Sequence, residues 1–133
     1  MIENLYIAPT DESPKVDFNS ETGLFEISGI SISKEADRTF GLINNWLKGY
    51  SEYPQDVSQL IINLDYFNIS TSKHLLDLLY KLKQLEENEK FVSIEWHYNE
   101  EEVDMLELGQ DYEMMVHLPF KYVGHKLMNK QVC

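Results

Sequence analysis

A strand passes into a helix within the sequence Leu64-Asp65-Tyr66-Phe67-Asn68-Ile69-Ser70-Thr71-Ser72-Lys73. The residues that lead into it, Leu60-Ile61-Ile62-Asn63-Leu64, form an apolar, β-branched run, which is typical of a central strand covered on both faces. Leucines then recur at helical spacing and predict the buried stripe of a helix that begins near Ser70 or Thr71. These leucines are Leu75, Leu78, Leu79, Leu82 and Leu85.

Three consecutive hydroxyl residues, Ser70, Thr71 and Ser72, open this helix. Ordinary capping explains one hydroxyl at a helix start, but three exceed what a single cap needs. A helix start offers unpaired backbone N–H groups and the positive end of the helix dipole, so it would hold a phosphate on such a hydroxyl. The pattern predicts a regulatory switch, with Ser70 or Thr71 as the modified residue.

The rest of the chain alternates between strand and helix patterns. Three short strand-like runs come first, and the second and third are separated by a turn at Asn19–Gly23. A helix with Ser33 as its N-cap is predicted next, with an apolar face formed by Ala36, Phe40, Ile43, Trp46, Leu47 and Tyr50.

Downstream, Phe91–Tyr98 alternates as a strand, with Val92, Ile94, Trp96 and Tyr98 on one face. A third helix packs through Met105, Leu108, Tyr112 and Met115, and Pro119–Val123 is the final edge strand. The order β-β-β-α-β-α-β-α-β predicts one α/β domain with about three helices on a mixed sheet. Its central strands are expected to be parallel and its leading strands antiparallel.

Composition and charge exclude several classes of function. The 133 residues are 43% hydrophobic, which is enough for a core and too apolar for disorder. A net charge of −12 disfavours nucleic acid and anionic membranes, because both require a cationic surface. No apolar run is long enough to span a membrane, and the N-terminus does not resemble a signal peptide. Cys133, the only cysteine, is consistent with a reducing cytoplasm.

The sequence contains no recognisable catalytic, metal or cofactor motif. The four histidines, His74, His97, His117 and His125, do not have the spacing of a zinc-ligand set. The acidic run before the third helix lacks the glycine of a calcium loop, and the six glycines are too isolated for a phosphate-binding loop. We therefore expect no cofactor and no enzyme. A pocket near Asp65 and His97, serving a small-ligand sensor or an enzyme, stays open as an alternative.

Several segments together resemble the SiaC-type regulatory phosphoproteins of bacteria. The likeness is carried by Tyr66–Lys73, Trp96-His97-Tyr98 and Asp104–Tyr112, and Ile27–Ser31 and Leu118-Pro119-Phe120 add to it. It extends over almost the whole chain, with a core from about residue 5 to about residue 123. The resemblance implies a STAS-like fold and a non-enzymatic role in signalling.

The same resemblance implies partners and a site. In the family, a kinase phosphorylates a hydroxyl at this helix start and a PP2C-type phosphatase removes the phosphate. The unphosphorylated form binds and stimulates a diguanylate cyclase, which promotes biofilm growth. The partner-binding region is then expected to comprise Asp65, Tyr66, Asn68, Ile69, Ser72 and Lys73.

This chain departs from the family pattern at the acceptor. The family has threonine directly after the asparagine, whereas Asn68 is followed here by Ile69, which has no hydroxyl. Either the acceptor has moved to Ser70 or Thr71, or this chain is not phosphorylated at the family site. An anti-sigma-factor antagonist, which the STAS-like fold also suggests, is a further alternative.

Overall fold

The structure of this chain, a computed structural model, describes residues 2–126. Its strands are β1 (Leu5–Ile7), β2 (Lys15–Phe18), β3 (Leu24–Ser31), β4 (Val57–Phe67), β5 (Phe91–Asn99) and β6 (Phe120–His125). Its α-helices are α1 (Ala36–Tyr50), α2 (Ile69–Lys83) and α3 (Val103–Val116), and a single 3-10 turn at Gln84–Glu86 extends α2. The element order predicted from the sequence is confirmed.

The strands form one sheet in which spatial order equals chain order. The first three strands pair antiparallel, whereas β3, β4, β5 and β6 pair in parallel, as predicted. Each α-helix connects two neighbouring parallel strands. Because such crossovers are right-handed and the strand order runs in one direction, all three helices come to the same face of the sheet. The fold is therefore a two-layer mixed α/β structure with one helix-covered face.

The second face of the sheet has no helix layer in residues 2–126, and we call it the open face. Along β4, Leu60, Ile62 and Leu64 are buried, while Ile61 and Asn63 between them are only half-buried. The prediction that this strand is covered on both faces is therefore wrong. The alternation of buried and half-buried side chains along this strand is not visible in the sequence, because the open-face position 61 is also occupied by an apolar residue, Ile61. The neighbours of Ile61 in the sheet are charged: Glu26 on β3 and Glu95 on β5.

The core lies between the sheet and the helices. The predicted stripe of α2 is confirmed, since Leu75, Leu78, Leu79 and Leu82 are all buried. The predicted apolar face of α1 is confirmed: five of its six residues are buried, and the half-buried Trp46 packs against Phe18 and Phe25. The indole N–H of Trp46 donates to the backbone oxygen of Glu3, at 2.7 Å.

Two local predictions on helices are wrong. The N-cap position of α1 is Glu35. The Ser33 Oγ accepts a hydrogen bond from the Glu35 N–H, at 3.0 Å, and does not cap the helix. Met115, predicted on the packed side of α3, is 50% exposed. That helix packs through Gly109, Tyr112 and Val116, because Gly109 lets its backbone lie directly on the indole of Trp96.

Candidate functional site

The start of α2 is capped by an amide and not by a hydroxyl. Asn68 has an extended backbone, and its Oδ1 accepts a hydrogen bond from the Thr71 N–H at 2.9 Å. Ile69 is the first helical residue, slightly earlier than the predicted start near Ser70 or Thr71. Since Asn68 satisfies the capping requirement, capping does not account for the three hydroxyls.

Thr71 anchors the helix start to the end of β3. Its hydroxyl is fully buried and donates to the backbone oxygen of Ser31 at 3.0 Å. The Oγ of Ser31 lies 2.7 Å from the Thr71 Oγ1, and because the Thr71 hydrogen is already used, Ser31 is the donor there. The Asn68 N–H donates to the same Ser31 oxygen, at 3.2 Å. Three hydrogen bonds therefore hold α2 against β3.

A second anchor comes from α3. The hydroxyl of Tyr112 donates to the backbone oxygen of Ser72 at 2.7 Å, and burial raises the pKa of this phenol. The Ser72 hydroxyl is also engaged, since it donates to the Ile69 backbone oxygen at 2.7 Å. The first turn of α2 is thus fixed on two sides, so its exposed side chains project from a rigid base.

The exposed side chains of this segment form what we call the α2-start surface: Tyr66, Ile69, Ser70 and Lys73. Tyr66 is 69% exposed and Ile69 is 77% exposed, although both are large and apolar. Ser70 is exposed, and its side chain makes no hydrogen bond within residues 2–126. Of the three adjacent hydroxyls, that of Ser70 is the one both accessible and unengaged.

Of the remaining predicted residues, Lys73 belongs to this surface and Asp65 flanks it. Lys73 follows one turn into the helix and is exposed. Asp65, on β4, is exposed and also lines a cleft of about 240 Å³. The structure therefore separates the predicted residues into an exposed set, a capping amide and a buried anchor, Thr71.

The cleft beside Asp65 lies at the carboxyl ends of β4, β5 and β6, and His97 and His125 also line it. As predicted, His97 is on the face opposite Trp96. Its partner was not predicted: His97 Nδ1 lies 2.6 Å from His125 Nε2. The parallel register of β5 and β6 would have indicated it. In this register Asn99 pairs with His125, and His97, two residues before Asn99, has its side chain on the same face. Within the described part of the chain, no three His, Cys, Asp or Glu residues are grouped to hold a metal ion.

A larger cleft of about 640 Å³ lies between the C-terminal ends of α1 and α2 and was not predicted. Lys48, Lys81 and Lys90 line it, and two of them are already paired, Lys81 with Asp77 and Lys90 with Asp56. Lys48 and Lys81 also lie in the last turns of α1 and α2, where a cation complements the helix dipole, so the lysines of this cleft have a structural explanation.

No helix in residues 2–126 combines the length and the apolar character needed to cross a bilayer.

Comparison with known proteins decides the family. Residues 7–125 match the model of the SiaC family of regulatory phosphoproteins. This chain belongs to the SiaC family. The resemblance predicted from Tyr66–Lys73 and the other segments is confirmed.

Solved structures of SiaC from Pseudomonas aeruginosa share this fold. An apo-SiaC crystal structure is 24% identical to the chain, with a TM-score of 0.84 over 92% of this chain and 99% of that one. A structure of the P. aeruginosa diguanylate cyclase SiaD in complex with its activator SiaC contains a chain 25% identical, with a TM-score of 0.84, covering 91% and 99%. An uncharacterized protein of P. aeruginosa strain UCBPP-PA14 is 24% identical over 124 residues, 93% of this chain and 98% of that protein.

Proposed function

We propose that this SiaC-family protein is a non-enzymatic cytoplasmic regulator that binds and activates a diguanylate cyclase through the α2-start surface. SiaC of P. aeruginosa is an activator of such an enzyme, which supports this class of partner. The observation that carries the proposal is the exposure of Ile69, 77%, beside Tyr66 on a helix start that two neighbouring elements hold in place. Tyrosine is enriched among the anchor residues of protein interfaces, and a rigid base reduces the conformational entropy that is lost on binding.

Control by phosphorylation is the second part of the proposal, with Ser70 as the acceptor. Burial argues against Thr71, because a kinase would have to break both of its hydrogen bonds with Ser31 to reach the hydroxyl. A phosphate on Ser70 would bring about −1.5 to −2 charges. Lys73 follows three residues later, which is the spacing of neighbours on a helix surface, and its side chain is exposed. The phosphate is therefore stabilised locally while the fold stays intact.

The effect of this phosphate falls on the partner. When the cyclase covers this surface, the phosphate next to Ile69 must lose its water. A charge left buried without a partner at an interface weakens binding by about 2–5 kcal/mol. We propose that a kinase and a PP2C-type phosphatase set the phosphorylation level and so the fraction of chain that binds the cyclase.

Binding and activation should be measured with a purified diguanylate cyclase from the same genome, by cyclic di-GMP formation against concentration of this chain. Ile69→Asp places a carboxylate in the proposed interface and should weaken activation at least about tenfold, on the order of 1.4 kcal/mol. The matched control is Met114→Asp, which adds the same charge at an apolar residue of α3 that is 74% exposed. Full activation by Ile69→Asp, or equal losses in both variants, would refute the α2-start surface as the interface.

The alternatives from the sequence receive less support. A cleft of about 240 Å³ at Asp65 and His97 is smaller than the roughly 300–1,000 Å³ of most small-molecule sites. An anti-sigma-factor antagonist is not favoured by any feature of the α2-start surface, and the family match is to SiaC proteins.

A further inference from the structure

Two histidines from neighbouring strands form a hydrogen-bonded pair on the open face. His97 is on β5 and His125 ends β6, and their rings meet edge to edge with centroids 4.9 Å apart and planes 16° from parallel. His97 Nδ1 and His125 Nε2 are 2.6 Å apart, and the other nitrogen of His97, Nε2, lies 3.3 Å from Glu95 Oε1. We call His97 and His125 the imidazole pair.

The contact fixes where protons can sit. The Glu95 carboxylate, 3.3 Å from His97 Nε2, favours a hydrogen on that nitrogen, and the Nδ1 of neutral His97 is then an acceptor for the His125 Nε2–H. One added proton is accommodated at the unprotonated Nδ1 of His125, because the Nε2–H of His125 still donates to the bare Nδ1 of His97. A second proton puts hydrogens on both facing nitrogens, and two imidazolium rings cannot keep a 2.6 Å contact.

The groups around the pair are mostly acidic. Glu95 lies beside His97 on β5, Glu26 faces it from β3, and the cleft adds Asp65 from β4, Glu102 before α3 and Lys126 after β6. Burial nevertheless lowers the pKa of His97, with a smaller contribution in the same direction from His125, and these outweigh the opposing effect of Glu95 and Glu26. The His97 side chain is only 14% exposed, which is the geometric reason.

We propose that the imidazole pair is a proton-binding site that stays joined with one added proton and separates on the second. Separation frees the His125 side chain and puts two positive charges into the cleft beside Asp65. Because Asp65 lies three residues before the Asn68 cap, acidification changes the electrostatic environment of the chain entering α2. The site thereby makes this end of the sheet responsive to pH in the range where histidine titrates. The proposal does not depend on the identity of the partner protein.

The sign of the stability effect follows from linkage. A histidine whose pKa is lowered by folding binds protons more readily in the unfolded chain. The contribution of neutral His97 to stability is therefore complete above the unfolded pKa, about 6.5, and is lost as the pH falls through the lowered pKa of the folded state.

The test is a titration of imidazole ¹⁵N and ¹H shifts in the whole chain from about pH 8 to about pH 4.5. At the upper end His97 should show the Nε2–H tautomer with an unprotonated Nδ1. The pair should then titrate in two separated steps that both rings report, because coupled groups share macroscopic pKa values. His125→Asn should reduce His97 to a single step. The control His117→Asn changes an exposed histidine with left-handed backbone, which asparagine tolerates, and should leave both steps in place.

Three results would overturn the proposal. One is a single independent step for each ring of the pair. Another is a His97 titration that His125→Asn leaves unchanged. The third is an Nδ1–H tautomer of His97 at the upper end of the titration, since it would mean that Glu95 does not orient the ring.

Discussion

The substitution Thr71→Val tests whether the buried hydroxyl anchors the helix start. Valine keeps the shape of threonine and removes Oγ1, so Ser31 loses a donor to its backbone oxygen and an acceptor for its hydroxyl. The backbone oxygen of Ser31 still accepts a hydrogen bond from the Asn68 N–H, at 3.2 Å. The hydroxyl of the buried Ser31, however, loses its acceptor. A lost hydrogen bond contributes about 1 kcal/mol and an unsatisfied buried group costs about 1–3 kcal/mol, so we expect Thr71→Val to lower the free energy of unfolding by roughly 1.5–3 kcal/mol.

Urea unfolding followed by tryptophan fluorescence measures this loss, and a double-mutant cycle assigns it to the pair. Ser31→Ala removes the group that Thr71→Val leaves unsatisfied, so the double variant should be less destabilised than the sum of the two single variants, with a coupling of about 0.5–3 kcal/mol. A loss under about 0.5 kcal/mol for Thr71→Val, or strict additivity in the cycle, would refute the anchoring role.

Two further predictions concern packing and modification. Gly109→Ala should destabilise the protein by about 1–3 kcal/mol in urea unfolding, because the added Cβ would lie 2.8 Å from the Trp96 Nε1. Gly41→Ala on α1, where a Cβ meets nothing within 4 Å, should instead stabilise it by about 0.4–1 kcal/mol, and equal effects at the two positions would contradict the packing argument. Incubation with the cognate kinase followed by mass spectrometry should place phosphate on Ser70 and none on the Ser70→Ala variant. Phosphate that appears only in an Ile69→Thr variant would show that this chain lacks an acceptor and stays in the unphosphorylated form.

Local periodicity predicted the architecture well because each helix buries a stripe that the sequence displays. The leucines of α2 and the strand alternation of β5 are regular, and both were confirmed. The sequence of β4 did not show that helices cover only one of its faces, because this depends on the side of the sheet on which all three connecting helices lie. That property belongs to the sheet as a whole, and Ile61 on the open face conceals it locally.

The start of α2 was selected from the sequence as the candidate site, but the structural roles of its individual residues were not predicted. Asn68, Ser70 and Thr71 are all residue types that favour helix starts, and only the tertiary partners distinguish them. The burial of Thr71 depends on Ser31, forty residues earlier, and the imidazole pair joins residues twenty-eight positions apart. Neither contact leaves a trace in short-range spacing.

The one-directional order of the parallel strands gives the molecule a polarity. Each connecting helix runs against the strands, so α1, α2 and α3 all begin at the end where the parallel strands finish. Each helix contributes roughly half a positive charge there, and the three contributions add. The helix backbones thus carry a fixed dipole along the strand axis with its positive end on the side of Ser70, and acidic side chains at the same end, such as Asp65 and Glu102, oppose it. A protein arriving by diffusion experiences a torque before any contact forms, and the encounter rate and its salt dependence depend on the orientation of the molecule as well as on its net charge.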